Sequence, residues 1–186
     1  MKKIILSTLV LLAVSACKKE NQKIEKENGS SDTISTVETK QPEASKINLK
    51  QTSPQELSKD LAKSNDTLYV TNFFATWCGP CMQEIPHFKK KIQELDGKAV
   101  KFTFVNIYNK PAWETEVPVF AKESGLADKI VLLDDSKIDQ NFFSNFSSWK
   151  GNGIPFTFFR KGNKTDEIEG SMSEEILNEK INSFLK

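Results

Sequence analysis

The feature that most constrains the fold is an apolar run that leads directly into a pair of cysteines. Residues 67–75 read TLYVTNFFA, rich in β-branched and aromatic side chains, and predict a central strand that is covered on both faces. WCGPC follows at residues 77–81, and a helix is expected over about residues 80–95. Cys78 and Cys81 therefore stand where a buried strand ends and a helix begins.

This junction predicts different chemistry for the two thiols. At a helix N-terminus, unpaired backbone N–H groups and the positive end of the helix dipole lower the pKa of Cys78 and favour its thiolate, the nucleophile. Cys81 lies within one helical turn, where it can resolve a mixed disulfide or close a disulfide with Cys78. Gly79 is expected to permit the tight start of the helix, and Pro80 in the first turn costs no hydrogen bond. Trp77 offers a flat aromatic surface for a docking partner, and Trp77, Gly79 and Pro80 are expected to bind the substrate beside Cys78.

The cysteine pair has two alternative uses. A zinc site needs four ligands, and the chain adds only Cys17 and one histidine, His87, to the pair, so no metal is expected. A structural disulfide without turnover is the second alternative. A buried cross-link would need neither a helix N-terminus nor the adjacent Trp77.

The rest of the chain alternates strand and helix patterns and predicts an α/β fold with a mixed sheet sandwiched between helices. Further strands are expected over residues 100–107, 130–133, 156–160 and 165–169, with a hairpin turn at 161–164. Further helices are expected over 53–61, where Ser53 and Glu56 form a capping box, over 111–124 and 138–146, and after Ser173. The last helix is expected to face the sheet with its apolar residues Ile176, Leu177, Ile181, Phe184 and Leu185.

Residues 1–16 predict a bacterial export signal. Two lysines precede an apolar stretch at residues 4–14, which is too short to span a bilayer as a helix. The segment ends Val-Ser-Ala-Cys and resembles the bacterial lipoprotein signal, in which the cysteine receives diacylglycerol. We therefore predict lipidation at Cys17. The alternative is ordinary cleavage near Ala16 beside an incidental cysteine.

Residues 17–47 predict a disordered tether, because they combine mixed charges with no aromatic side chain. The 13 Phe, 3 Trp and 2 Tyr residues all lie at or after Tyr69, which places a folded domain at residues 48–186. The net charge is +1 and no block of basic residues stands out, so nucleic acid is not an expected partner.

Three motifs together resemble the TlpA/ResA-like family of membrane-tethered bacterial thiol-disulfide reductases. They are the runs TNFFATWCGPCMQEIPHF, GIPFTFF and GSMSEEIL. Within them, WCGPC, the proline five residues after the second cysteine (Pro86) and Gly-Ile-Pro at residues 153–155 resemble the motifs of the thioredoxin fold itself. The resemblance covers roughly residues 48–186. It implies a thioredoxin fold that passes reducing equivalents to disulfides in exported proteins, in some members to apocytochromes awaiting haem. Such a reductase needs an electron donor, here an unidentified membrane donor. No nucleotide, haem or flavin motif is visible, so no cofactor beyond the Cys78–Cys81 disulfide is expected.

The same resemblance implies a cis peptide bond between Ile154 and Pro155. Such a turn would bring the Ile154 backbone beside the two cysteines, where it could hydrogen-bond an extended substrate as an added strand. The alternative is an ordinary turn before a strand.

Glu84 occupies the position at which this reductase family has an acid near its active site. It lies about 60° from Cys81 around the helix, so its carboxyl could exchange a proton with that thiol. A solvated helix glutamate is the alternative. Asn72 stands where thioredoxins often carry a buried acid, which makes Glu84 the better acid-base candidate. His87, about 120° from Cys81, is expected to be a surface or packing residue.

Residues 98–149 depart more from the family, and the stretches 109–117 and 147–152 match no pattern that defines a substrate. Trp149 could either line a binding surface or cover the core. The sequence as a whole predicts a lipid-anchored thiol-disulfide oxidoreductase of the bacterial cell envelope, with its domain facing the periplasm. Gly-Pro between the cysteines favours reduction, near the roughly −270 mV of thioredoxin rather than the roughly −120 mV of strong oxidants. The alternatives are a disulfide oxidase or isomerase, and a tethered binding module without turnover.

Overall fold

A computed structural model of the protein describes residues 47–186, in which six strands form one mixed sheet. The strands are β1 (Lys50–Thr52), β2 (Leu68–Phe74), β3 (Val100–Asn106), β4 (Ile130–Leu133), β5 (Phe156–Lys161) and β6 (Lys164–Glu169). Their order is β1-β4-β3-β2-β5-β6; the first four are parallel, and β5 and β6 are antiparallel to their neighbours. The predicted mixed α/β sheet is confirmed.

Five α-helices pack on this sheet. They are α1 (Pro54–Leu61), α2 (Gly79–Glu94), α3 (Glu116–Ser124), α4 (Gln140–Phe143) and α5 (Glu174–Leu185). Short 3-10 turns cover Lys110–Ala112 and Asp135–Lys137. The predicted capping box at α1 is confirmed, since the Ser53 side chain accepts from the Glu56 N–H and the Glu56 carboxylate accepts from the Ser53 N–H. No helix within residues 47–186 is both long enough and apolar enough to cross a membrane.

The core is divided into two clusters by the sheet, because successive strand side chains point to opposite faces. One face packs against α2, α3 and α5, and its cluster includes Val70 and Phe74 of β2. The other packs against α1 and α4, and its cluster includes Phe73 of β2. Strand β2 is therefore covered on both sides, as its nearly continuous apolar pattern predicts.

Two of the predicted helices are shorter than expected. The helix predicted over 111–124 is a 3-10 turn followed by α3, whose third residue is Pro118; proline is tolerated in a first turn because that N–H has no helical partner. The helix predicted over 138–146 is reduced to α4, although Phe142 and Phe146 are buried as expected.

The structure corrects two more expectations. Ile176 and Leu185 were predicted to face the sheet with their helix, but they are 43% and 38% exposed, while Leu177, Ile181 and Phe184 are buried. Strand β1 was not predicted at all. It is a three-residue edge strand with no buried residue, so it carries no apolar pattern by which to recognise it.

The edges of the sheet differ in length and charge. β1 is short, whereas β6 is six residues long and pairs only with β5 within the described residues. Four of the six β6 side chains are charged: Lys164, Asp166, Glu167 and Glu169.

Candidate active site

The two cysteines lie at the start of α2, directly after the central strand. Cys78 is the N-cap residue, and its Sγ lies 3.3 Å from the Cys81 backbone nitrogen. The two sulfurs are joined in a disulfide, with the Cα atoms 5.3 Å apart. Cys81 is completely buried, whereas Cys78 keeps a small exposed area. The first thiol is thus the more accessible of the two and the one closer to the unpaired N–H groups of the helix.

The residues around the disulfide form an exposed surface. Trp77 is 61% exposed, and Gly79 and Pro80 are also exposed. Gly79 does not have a positive φ, and a Cβ atom at that position would meet no atom within 4 Å. Gly79 is compatible with the expected tight start of the helix, but neither its backbone conformation nor the space around it requires glycine. The missing side chain instead leaves the surface beside Cys78 open.

The Gly-Ile-Pro loop lies against the disulfide as predicted. The Ile154–Pro155 peptide is cis, and the Ile154 carbonyl oxygen is 3.8 Å from Cys78 Sγ. Ile154 is half-buried and Pro155 is buried. The Ile154 backbone thus borders the more accessible sulfur, where an extended chain that approaches Cys78 would meet it.

Hydrogen bonds through Tyr108 hold Trp77 and the cis-proline loop in place. The Trp77 Nε1–H donates to the Tyr108 carbonyl (3.1 Å), and the Tyr108 hydroxyl donates to the Gly151 carbonyl (3.0 Å). Gly151 has φ +83°, and a Cβ there would come within 2.6 Å of the Phe143 ring. Glycine is therefore required at 151 both by conformation and by space.

Trp149 belongs to the core rather than to a binding surface. It is 0% exposed, and its ring stacks on Phe156 with centroids 4.6 Å apart. Its Nε1–H donates to the Gly153 carbonyl at 2.8 Å. Of the two uses weighed for Trp149, the structure supports the second, with the addition that this residue supports the loop before Ile154.

Glu84 lies one turn after Cys81 on α2 and is 1% exposed. Asn72 Nδ2 donates to Glu84 Oε1 (2.8 Å), and the Met172 backbone N–H donates to Oε2 (2.9 Å). Burial raises the pKa of Glu84 from an ordinary 4.5 to about 7, even though both hydrogen bonds lower it. The alternative of a solvated helix glutamate is thus excluded.

Asn72 connects Glu84 to the neighbouring strand. Its Nδ2 also donates to Thr157 Oγ1 (3.0 Å), whereas its Oδ1 is buried and has no hydrogen-bond partner among the described residues. An amide can rotate to exchange its oxygen and nitrogen, so Oδ1 is available to accept from a protonated Glu84 carboxyl. Asn72 and Glu84 can accordingly form a hydrogen bond whether the Glu84 carboxyl is protonated or ionised.

His87 has a packing role, as expected. Its ring is half-buried and its Nδ1 lies 3.1 Å from the Met172 carbonyl oxygen, which can only accept a hydrogen bond. The backbone of Met172 is therefore bound on both sides by α2, through Glu84 and through His87. The neighbouring Gly170 N–H donates to the Pro155 carbonyl (2.9 Å), which links this segment to the cis-proline loop.

Sequence reasoning missed these partners of Glu84. Asn72 was recognised only as a departure from an acidic residue, and Thr157 and the Met172 backbone were not singled out. One signal was available: a polar Asn72 within the apolar run 67–75 must find a buried partner, because an unpaired buried amide is costly.

The predictions for residues 1–16, for the tether and for Cys17 lie outside the described residues. Within residues 47–186 no three metal-ligating side chains come together.

A disulfide at the start of the helix that follows the central strand, with a cis-proline loop 3.8 Å from its outer sulfur, defines a thioredoxin-like thiol-disulfide oxidoreductase. Residues 36–158 match the sequence model of the Redoxin family, and the chain belongs to this family.

Similar proteins agree with this assignment. The thioredoxin-like protein YneN of Bacillus subtilis is 30% identical over 141 residues, which cover 75% of this chain and 76% of YneN. Thiol-disulfide oxidoreductase ResA of the same organism is 24% identical over 115 residues, or 60% of this chain and 58% of ResA. This match thus spans less than two thirds of the ResA chain.

The fold has counterparts among solved structures. A thiol:disulfide interchange protein of the thioredoxin family from Chlorobium tepidum superposes with a TM-score of 0.56 at 24% identity, covering 69% of this chain and 85% of that one. The predicted thioredoxin fold is confirmed.

Proposed function

We propose that the protein reduces disulfides of exported proteins with its Cys78–Cys81 dithiol. The observation that carries this proposal is the disulfide at the N-terminus of α2, bordered by the exposed Trp77 and by the Ile154 backbone. Helix N-terminal N–H groups stabilise a thiolate, and a backbone carbonyl beside it can pair with an extended substrate. Gly-Pro between the cysteines favours the reducing direction, since it is the dipeptide of thioredoxin.

In the first step, the Cys78 thiolate attacks one sulfur of the substrate disulfide. A new bond joins Cys78 to the substrate, and the released substrate thiolate takes a proton from water. In the second step Cys81 loses its proton and attacks Cys78 Sγ, which expels the second substrate thiolate. The substrate gains two electrons and two protons, and the protein is left with the Cys78–Cys81 disulfide.

Glu84 is the base we assign to the second step. Its pKa of about 7 leaves a substantial fraction ionised at neutral pH, and a carboxylate one turn from Cys81 can accept the thiol proton directly or through one water. It can then return that proton to the departing substrate thiolate. A base with a pKa near the working pH is suited to both tasks.

The direction of electron flow is tested by redox titration of the purified protein. We expect a midpoint potential on the order of −270 mV, together with turnover of a protein disulfide when a thiol reductant is supplied. A potential near roughly −120 mV would instead support an oxidase. A normal potential without turnover would support the tethered binding module.

Location in the bacterial cell envelope is part of the same proposal and rests on the sequence. The export signal at residues 1–16 and Cys17 support a lipid-anchored protein whose domain faces the periplasm, where a membrane electron donor would reduce it. Cys17→Ala should release the protein from the membrane fraction, while the released protein still reduces disulfides. Membrane association that survives this change would contradict anchoring through Cys17.

A further inference from the structure

An apolar hollow that carries two acidic side chains lies between α2 and α3, next to the residues that flank the cysteine motif. Met82, Val119 and Phe120 supply its apolar lining, Thr76 and Thr115 its hydroxyl groups, and Glu116 and Glu123 its charge; we refer to it as the acid-rimmed hollow. Its volume is about 510 Å³, within the range of sites that bind small molecules or side chains.

The acid-rimmed hollow is fixed relative to the disulfide. Thr76, two residues before Cys78, donates through Oγ1 to Glu116 Oε2 (3.2 Å), and Asn109 Nδ2 donates to Thr76 Oγ1 (2.9 Å). The Phe120 ring packs against Phe74 of the central strand, with centroids 5.5 Å apart. The first turn of α3 is thereby held against the loop that carries the cysteines.

Exposed apolar area is concentrated near this hollow. Among the described residues only four large apolar side chains are strongly exposed, and two of them are Trp77 (61%) and Val119 (55%). Exposed apolar side chains beside a reactive group mark a site of interaction. Trp77 directly precedes Cys78, and Val119 lines the hollow together with Thr76 and Met82, the residues on either side of the WCGPC run.

The charge of the hollow has one sign. Glu116 and Glu123 are seven residues apart on α3, so they share one side of the helix, about 10.5 Å from each other. Within residues 47–186 neither forms an ion pair, and no lining side chain is cationic. Lys122, next to Glu123 in sequence, lies about 100° away from it around α3 and does not line the hollow.

We propose that the acid-rimmed hollow binds an apolar side chain of the substrate that is flanked by lysine or arginine, in the segment next to the substrate's disulfide. The apolar side chain fills the space over Met82 and Phe120, and the basic residues pair with Glu116 and Glu123. In an extended chain the two residues on either side of a central one are about 7 Å apart. The long side chains of lysine and arginine can span the rest of the roughly 10.5 Å that separates Glu116 from Glu123 along α3. This proposal rests on the proposed function, because it assigns a substrate preference to the same dithiol.

The test compares three peptides, each with one intramolecular disulfide. They differ only in the segment beside it: Lys-Leu-Lys, Glu-Leu-Glu or Lys-Ser-Lys. Pre-reduced protein is mixed with each peptide in single turnover, the reaction is quenched with acid, and the second-order rate constant is obtained by mass spectrometry. Ratios of rate constants are compared, so that a general change in the reactivity of the thiols cancels.

We expect the Lys-Leu-Lys peptide to react about tenfold faster than the Glu-Leu-Glu peptide at low ionic strength, and the ratio to shrink in high salt. We expect it to react several-fold faster than the Lys-Ser-Lys peptide, because only leucine buries apolar area against the apolar lining of the hollow. Glu123→Lys should abolish the first ratio and Val119→Ser the second. The matched surface variants Glu179→Lys and Ile176→Ser on α5 should retain both.

Equal rates for the three peptides would overturn the hollow and leave the proposed function intact. If the protein reduced none of the three peptides, both the substrate preference of the hollow and the proposed function would be overturned. If Val119→Ser changed the oligomeric state in analytical ultracentrifugation, a second copy of the chain would be the occupant, and the substrate preference would be overturned.

Discussion

The two faces of the sheet share the same strands but differ in chemistry. The face under α2, α3 and α5 holds the disulfide and the buried polar group formed by Asn72, Glu84 and Thr157. The face under α1 and α4 is a cluster of aromatic rings, among them Phe73, Phe142, Phe146, Trp149 and Phe156. Adjacent residues of β2, Asn72 and Phe73, thus contribute to opposite tasks.

This difference shows how the fold can hold a costly buried acid. A buried carboxyl destabilises the folded state when it ionises, whereas a close-packed aromatic cluster stabilises it. Substitutions on the two faces should therefore separate activity from stability. The following predictions test this separation, from the largest expected effect to the smallest.

Cys78→Ser should abolish turnover, with a loss of at least about 1,000-fold in kcat/KM, because a hydroxyl does not replace the thiolate nucleophile. Its free energy of unfolding, measured under reducing conditions for both proteins, should change by no more than about 1 kcal/mol. Disulfide turnover and denaturant unfolding are the two measurements. A variant that still turned over would show that the nucleophile is another group.

Phe146→Ala should have the opposite profile. The Phe146 ring contacts Phe73, Phe142, Trp149, Phe156 and Phe158, so its removal should cost roughly 3–5 kcal/mol of unfolding free energy. The kcat/KM of the molecules that remain folded should stay within about threefold. Phe146→Leu, which keeps more volume, provides a folded control with a smaller loss. A large loss of kcat/KM in Phe146→Leu would contradict the separation of the two faces.

The free energy of unfolding should decrease as pH rises, because of Glu84. Its pKa is about 7 in the folded state and 4.5 when unperturbed, so between these values the folded state binds more protons than the unfolded chain. The free energy of unfolding contributed by this group therefore decreases as pH rises from 4.5 to 7, by about 3 kcal/mol, and is constant above that range. The difference in unfolding free energy between the wild type and Glu84→Gln, followed across pH, isolates this contribution. A difference that stayed constant would show that Glu84 has an ordinary pKa.

Glu84→Gln should slow resolution of the mixed disulfide about 100-fold, the usual size of a general-base effect. Attack by Cys78 should keep its rate, since it does not require proton transfer to Glu84. In the wild type, the resolution rate should rise with pH to a plateau with a midpoint near 7, and the variant should lose this rise. Rapid-quench trapping of the mixed disulfide separates the two steps. An unchanged pH profile would remove Glu84 from the proton transfer.

Asn72→Asp has the smallest expected effect. The substitution places a second carboxyl within hydrogen-bonding distance of Glu84. Two carboxyls so close together cannot easily ionise at the same time, because their negative charges repel each other. The midpoint of the pH profile for resolution should rise by about one unit or more, as for a coupled pair. Asn163→Asp in the hairpin turn serves as the control. If both variants kept the wild-type midpoint, Asn72 would have no influence on the acid.

The sequence was sufficient for the parts of the fold that depend on local patterns. The apolar run of β2, the capping box at Ser53 and the hairpin between β5 and β6 are local signals, and each is confirmed. The cysteine pair and the cis-proline loop followed from motif and resemblance. What was missed depends on contacts between distant residues.

Glu84 illustrates that limit. Its burial depends on Asn72 and Met172, which are 12 and 88 residues away, so the helix alone could not distinguish a solvated acid from a buried one. Trp149 was ambiguous for the same reason, since its stacking partner Phe156 lies in a strand that follows an irregular loop. The acid-rimmed hollow also requires α3 to lie against the loop at Thr76, a contact 40 residues apart.

The charged edge strand β6 has a consequence for how the protein meets other chains. An exposed strand edge offers backbone N–H and C=O groups to any extended polypeptide, and unguarded edges lead to aggregation. With Lys164, Asp166, Glu167 and Glu169 along β6, a second strand would have to bring its own side chains against a row of charges. The charges on β6 thus discourage strand pairing at this edge of the sheet. The proposed pairing with an extended substrate is left to the backbone of Ile154, beside the sulfur that reacts.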